Sequence, residues 1–102
     1  MSVFLQSTLT CHGAGFVEFL DVMRQIKPIA EAAGWRLDRA FVQRTGTLYV
    51  VIDIWEMDDF NAYDVGISAI TDHPDFPVLS EVLHRTLKSE EITFLEKTDY
   101  SP

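Results

Sequence analysis

Leu48-Tyr49-Val50-Val51-Ile52-Asp53-Ile54-Trp55-Glu56 is the most strand-like run in the chain. It is rich in β-branched and aromatic residues, free of Gly and Pro, and bounded by Gly46 before it and Asp58-Asp59 after it. Side chains alternate across a strand. Leu48, Val50, Ile52 and Ile54 therefore share one aliphatic face, and Tyr49, Val51, Asp53 and Trp55 share the other. The aliphatic face suits the underside of helices. The second face is too apolar for open water and too polar for a dry core, so it calls for a partner sheet, a ligand or both.

Working outward, Trp35 to Arg44 reads as a strand, with Trp35, Leu37, Arg39, Phe41 and Gln43 on one parity. Thr45-Gly46-Thr47 then makes a short antiparallel hairpin into the Leu48–Glu56 run. Residues 3–11 alternate as a first strand, with Val3, Leu5, Ser7, Leu9 and Cys11 opposite Phe4, Gln6, Thr8 and Thr10. Phe16, Leu20, Met23, Ile26, Ala30 and Ala33 recur at helical spacing up to a Gly34 cap, with Pro28 predicting a kink. Asp58 reads as the N-cap of a second helix carrying Phe60, Tyr63, Ile67 and Ile70. Thr71-Asp72-His73-Pro74 breaks that helix, and a second piece carries Leu79, Val82, Leu83 and Leu87 to an end at Ser89-Glu90. Glu91 to Asp99 forms a fourth strand. The order is that of a ferredoxin-like βαββαβ unit, an α+β fold whose four-stranded antiparallel sheet carries helices on one face only. On this reading the Tyr49–Asp53–Trp55 face is left bare, and a two-fold homodimer packing two sheets face to face would seal it, with a cavity between them.

The bulk numbers fit a single domain over residues 1–102, small for an enclosed pocket within one chain. Hydrophobic residues make up 47% and charged residues 24%, which is globular rather than disordered composition. The net charge of −8 gives no general attraction to phosphate backbones or anionic lipid, so neither nucleic acid nor membrane is expected as a partner. Cys11 is the only cysteine and reads as inert; there is no thiol pair for a disulfide or a zinc cluster. No membrane-spanning run or leader is read, so a cytoplasmic protein is the expectation.

The opening strand with its Gly13 turn, the helix ending at Gly34, Gly46 followed by Leu48 and Ile54-Trp55-Glu56, and the tail Thr98-Asp99-Tyr100-Ser101-Pro102 together resemble the NIPSNAP family. That family is a branch of the dimeric α+β barrel proteins. The family's opening strand carries Arg and Tyr where this chain has Gln6 and Thr8. The resemblance implies a dimeric barrel; similar barrels include polyketide cyclases, cofactor-independent monooxygenases, lactone isomerases and haem-degrading enzymes, and animal NIPSNAP proteins look like adaptors.

Asp53 is the residue to single out. Buried beside Val51 and Trp55, its pKa would rise toward neutrality and suit it to act as a general base. The competing reading is an ion pair with Arg39 or Arg44. Tyr49 would donate a hydrogen bond to a substrate oxygen. Phe4, Phe41 and Trp55 would form apolar walls, with Gln6, Thr8 and Arg39 as polar binding groups; Trp55 alternatively only packs, and Arg39 only neutralises Asp53. The expected chemistry is cofactor-free cyclisation, isomerisation or oxygenation of a hydrophobic or aromatic small molecule, against a non-enzymatic binding or scaffold role. His12, His73 and His84 lack metal-ligand spacing, and no metal is expected. A haem site would have to be drawn from His73, Trp55 and Gln6.

Overall fold

The first strand decides which side of the sheet is covered. In the computed structural model, which describes residues 2–102, β1 (Val3–Cys11) alternates between buried odd positions and half-buried even ones. Its odd set is apolar apart from Ser7, whereas its even set is mostly Gln and Thr, so the odd face takes the helices. A 3-10 turn at Gly13–Gly15 leads into α1 (Phe16–Ala32), which runs through Pro28. β2 (Arg36–Val42), β3 (Val50–Met57), α2 (Asn61–Thr71), α3 (Phe76–Thr86) and β4 (Leu87–Leu95) complete the chain. The sheet is antiparallel in the order β2-β3-β1-β4, with helices on one face, as the ferredoxin-like reading requires.

The two faces of β3 are the reverse of those read from the sequence. β1 and β3 pair with Leu5 opposite Trp55, Ser7 opposite Asp53 and Leu9 opposite Val51, and directly opposed residues share a face. Asp53 and Trp55 thus lie beneath the chain's own helices, while Ile52 and Ile54 turn outward. Both parities of β3 are apolar enough to be buried, so hydrophobicity within the strand does not choose between them. The choice comes from β1, whose parities are unequal.

Element boundaries shift for local reasons. Tyr49 has φ 61, a left-handed conformation that ends the strand, so β3 begins at Val50 and the β2–β3 connection is longer than Thr45-Gly46-Thr47. Asp38 is the extra residue of a bulge between Leu37 and Arg39. The bulge puts Leu37 opposite Trp55 on the helix side but Arg39 opposite Ile54 and Phe41 opposite Ile52 on the outer side. Phe60 occupies the N-cap position of α2, and Asp59 just before it reaches the first turn, its Oδ1 accepting from the Ala62 N–H at 3.1 Å. Asp58 instead pairs with Arg36 at 3.1 Å. The fourth strand starts at Leu87, so Ser89 and Glu90 lie in it rather than ending a helix.

Helix α2 is seated by a tryptophan. The Trp35 indole N–H donates to the Ala62 carbonyl at 2.8 Å, and its ring lies directly against Gly66. A Cβ at Gly66 would overlap the Trp35 ring, whose place is already set by Trp55 at 5.5 Å and Tyr63 at 5.6 Å. Gly66→Ala is therefore expected to destabilise the fold by about 1–3 kcal/mol despite its gain in helix propensity. A thermal melt followed by circular dichroism checks this; an unchanged or raised Tm would show that Trp35 moves aside freely.

Candidate functional site

The core is divided. One buried cluster joins Leu5, Trp35, Trp55 and Met57, a second joins Leu9, Cys11, Phe19 and Val51, and a third joins Val22, Ile26 and Leu79. Between them lies a cavity of about 270 Å³ within the single chain, on the helix side of the sheet. The sequence reading put Asp53 on the uncovered face, toward a cavity between two sheets; Asp53 instead faces a cavity beneath the helices of its own chain. Space remains because the row Asp53–Ser7 carries short polar side chains where large apolar ones would fill the gap.

The floor of the cavity is Leu5, Ser7 and Leu9 of β1 with Asp53 and Trp55 of β3, continued by Leu87, Glu90 and Ile92 of β4. Its roof comes from Met23 and Ile26 of α1, Tyr63, Ile67, Ile70 and Thr71 of α2, and Phe76 and Leu83 of α3, with Trp35 closing one end. Asp53 is only 4% exposed, whereas nearly all of β4 is open to solvent, so the deep end lies at β3 and the mouth at β4. Outside the cavity lining, Tyr63 is held by further rings: Phe94 meets Tyr63 at 5.3 Å and Phe60 at 5.2 Å, both edge-on.

Asp53 is alone electrostatically. Among the described residues no ion pair or side-chain hydrogen bond involves its carboxyl group. Arg39, read as its partner, lies on the other side of the sheet. No side-chain polar atom among the described residues is both sealed from solvent space and unpartnered, so the Asp53 oxygens reach the cavity. Burial alone pushes its pKa from 3.8 to about 6. Tyr63, on the roof, is also raised, first by burial and then by the nearby charges of Glu90 and Asp64.

Of the residues singled out in the sequence, only Asp53 and Trp55 line the cavity. Tyr49 is 44% exposed in the connection before β3, with its ring over Gly13 and edge-on to Phe16 at 5.4 Å; its carbonyl accepts from the Cys11 N–H. Its left-handed backbone takes it out of the alternation that would have set it beside Asp53. Phe4, Gln6, Thr8, Arg39 and Phe41 lie on the outer face, away from the helices. The residues of the haem reading are dispersed: Trp55 is in the cavity and Gln6 on the outer face, while His73 accepts from the Asp75 N–H in a groove between helices. Among the described residues no group of His, Cys, Asp and Glu is arranged to hold a metal ion. Cys11 is buried, and burial raises its thiol to about 11, as an inert cysteine requires.

Sequence reasoning missed Ser7, Trp35, Tyr63 and Glu90. Tyr63 stood in the apolar stripe of its helix, and its spacing from Ile67 and Ile70 was the available signal. Nothing local marks Glu90.

Because the folded pKa of Asp53 lies above its ordinary value, the folded state holds this proton the more tightly. The associated stability is complete below about pH 3.8 and is lost as pH rises through about 6. Asp53→Asn, uncharged throughout, is expected to stabilise the protein by up to about 3 kcal/mol above pH 7, and by far less near pH 4. Urea unfolding at both pH values measures the difference; equal effects at the two would contradict an unpaired buried carboxylate.

A model of the family described as NIPSNAP matches residues 7–102. No curated protein matches the chain. Among solved structures, a NIPSNAP family protein from Agrobacterium tumefaciens superposes with a TM-score of 0.85 at 21% identity, covering 100% of this chain and 98% of that one. A NIPSNAP domain protein from Burkholderia xenovorans gives 0.80 at 22%, with 100% and 99% covered. The cofactor-independent oxygenase SnoaB from Streptomyces nogalater gives 0.70 at 17%, with 99% and 97% covered. At these identities the likeness is one of fold. Among the described residues no helix is long and apolar enough to cross a membrane.

Proposed function

The chain belongs to the NIPSNAP family, and from that premise we propose that its helix-side cavity binds a hydrophobic, ring-containing small molecule from which Asp53 takes a proton without a cofactor. The observation that carries this reading is the Asp53 carboxyl itself: buried, unpaired, open to an aromatic cavity, and raised to about 6. A base with that pKa is ionised at neutral pH yet strong enough to take a proton from a carbon flanked by a carbonyl. Trp35 and Trp55 supply flat apolar walls, and Ser7 and Tyr63 bring hydroxyls to the same cavity that can orient an oxygen of the ligand. Cyclisation, isomerisation and oxygenation all begin with this step, and the resemblance in fold to a cofactor-independent oxygenase makes the last the first to test.

Anthrone is a suitable probe, because loss of its acidic C–H proton leads with O2 to anthraquinone and water. The protein is expected to accelerate anthraquinone formation, with a rate that climbs as pH rises through about 6. Asp53→Asn should lower the rate by about a hundredfold or more. A rate equal to buffer alone would leave a binding or scaffold protein, a reading favoured by the absence of Tyr49 from the cavity; an accelerated rate unaltered in the variant would remove Asp53 from the reaction.

The outer face, with Ile52 and Ile54 between Phe41, Gln6 and Thr8, is the surface we propose a second copy covers. Phe41 is 53% exposed on the single chain, and an aliphatic sheet centre of this kind is characteristic of an interface. Native mass spectrometry is expected to give a dimer, and Ile52→Lys combined with Ile54→Lys a folded monomer. A wild-type monomer at micromolar concentration would overturn the proposal.

A further inference from the structure

We propose that Glu90, at the cavity mouth, sets the class of ligand preferred: uncharged ring systems, bound most tightly when they carry a hydrogen-bond donor at the Glu90 end, with anions disfavoured. This rests on the reading of the cavity as a ligand site and deepens it. Among the described residues the charged side chains lining the cavity are two carboxylates, Asp53 at the deep end and Glu90 at the mouth, with no Lys, Arg or His. Ionised carboxylates only accept hydrogen bonds, so a donor is favoured at the mouth, while the deep end takes either a donor or the acidic C–H of the proposed reaction. A ligand carboxylate would face like charge with no cation to offset it, in surroundings less polar than water. Asp53 is 4% exposed, and no partner among the described residues competes with a ligand for its carboxyl group.

The sheet also gives the ligand a length. Asp53 is opposite Ser7 and Glu90 is opposite Leu9, on the two strands flanking β1. Two strand spacings across and two residues along place the Cα atoms about 12 Å apart on the diagonal. Two or three fused rings span such a gap between side chains that lean into it. Trp35, Trp55 and Tyr63 line the space with ring surfaces, and a flat aromatic skeleton fits that lining better than a branched aliphatic one. Glu90 is therefore a specificity-determining residue, and it takes no proton in the proposed reaction.

The test uses isothermal titration calorimetry at pH 7.5 with two naphthalenes of the same shape, 2,6-dihydroxynaphthalene and 6-hydroxy-2-naphthoate. The wild type is expected to bind the diol more tightly by about tenfold or more. Glu90→Gln keeps an acceptor at the mouth and removes the charge; being on an exposed strand, it is expected to fold. It should bring the two affinities to within about threefold, chiefly by strengthening the naphthoate. No turnover enters the measurement, so an unaltered Asp53→Asn rate with anthrone defeats the proton-abstraction reading and leaves the charge preference standing. Equal affinities in the wild type, an undiminished gap in Glu90→Gln, or no binding of the diol at millimolar concentration would overturn the proposal.

Discussion

The pairing of Ser7 with Asp53 across β1 and β3 is the contact on which the rest of the molecule depends. Among the described residues it brings the only buried acidic residue under the helices and leaves it without a counter-ion. An ionised carboxylate in such a place is costly unless solvated or paired, and here the compensation is incomplete, so the proton is held more tightly than in water. The same row of short side chains keeps the core from closing into one mass. Cavity and perturbed acid thus have a common origin in one register.

The aromatic residues explain how so small a domain keeps an internal space. Trp35 is wedged between α2 and the sheet, contacting Trp55 on one side and Tyr63 on the other, and it is admitted only because position 66 has no side chain. That wedge sets where α2 sits and so the height of the roof above Ser7 and Asp53. The rings continue through Phe94 to Phe60 at the surface, bracing Tyr63 from outside the cavity. Stability given up at a buried, unpaired acid such as Asp53 is a recurrent feature of functional sites.

Much of the fold was legible because its signals were unequal. The alternation of β1, the helical spacing from Phe16 to Ala33 and the turn residues around Gly34 and Gly46 each favoured one local structure, and their order defined the ferredoxin-like unit. The failures cluster where two choices were equally apolar or where backbone geometry intervened. β3 is hydrophobic on both faces, so its orientation could not be read from its own residues. The bulge at Asp38 separates Leu37 from Arg39, and the left-handed Tyr49 leaves the strand altogether; neither has an unambiguous mark in composition.

By itself the chain's residue pattern determined the order of elements, the one-sided layering of helices on an antiparallel sheet, and Asp53 as its most conspicuous acid. Those follow from local periodicity and from the expense of burying a charge. Only the tertiary structure decided which side of the sheet Asp53 faces, that its company is Ser7, Trp35 and Tyr63 rather than Tyr49 and Arg39, and that Glu90 stands at the mouth. The reason is that facing and company are set by register between strands distant in sequence, and a one-residue change of register exchanges the two faces of a strand entirely.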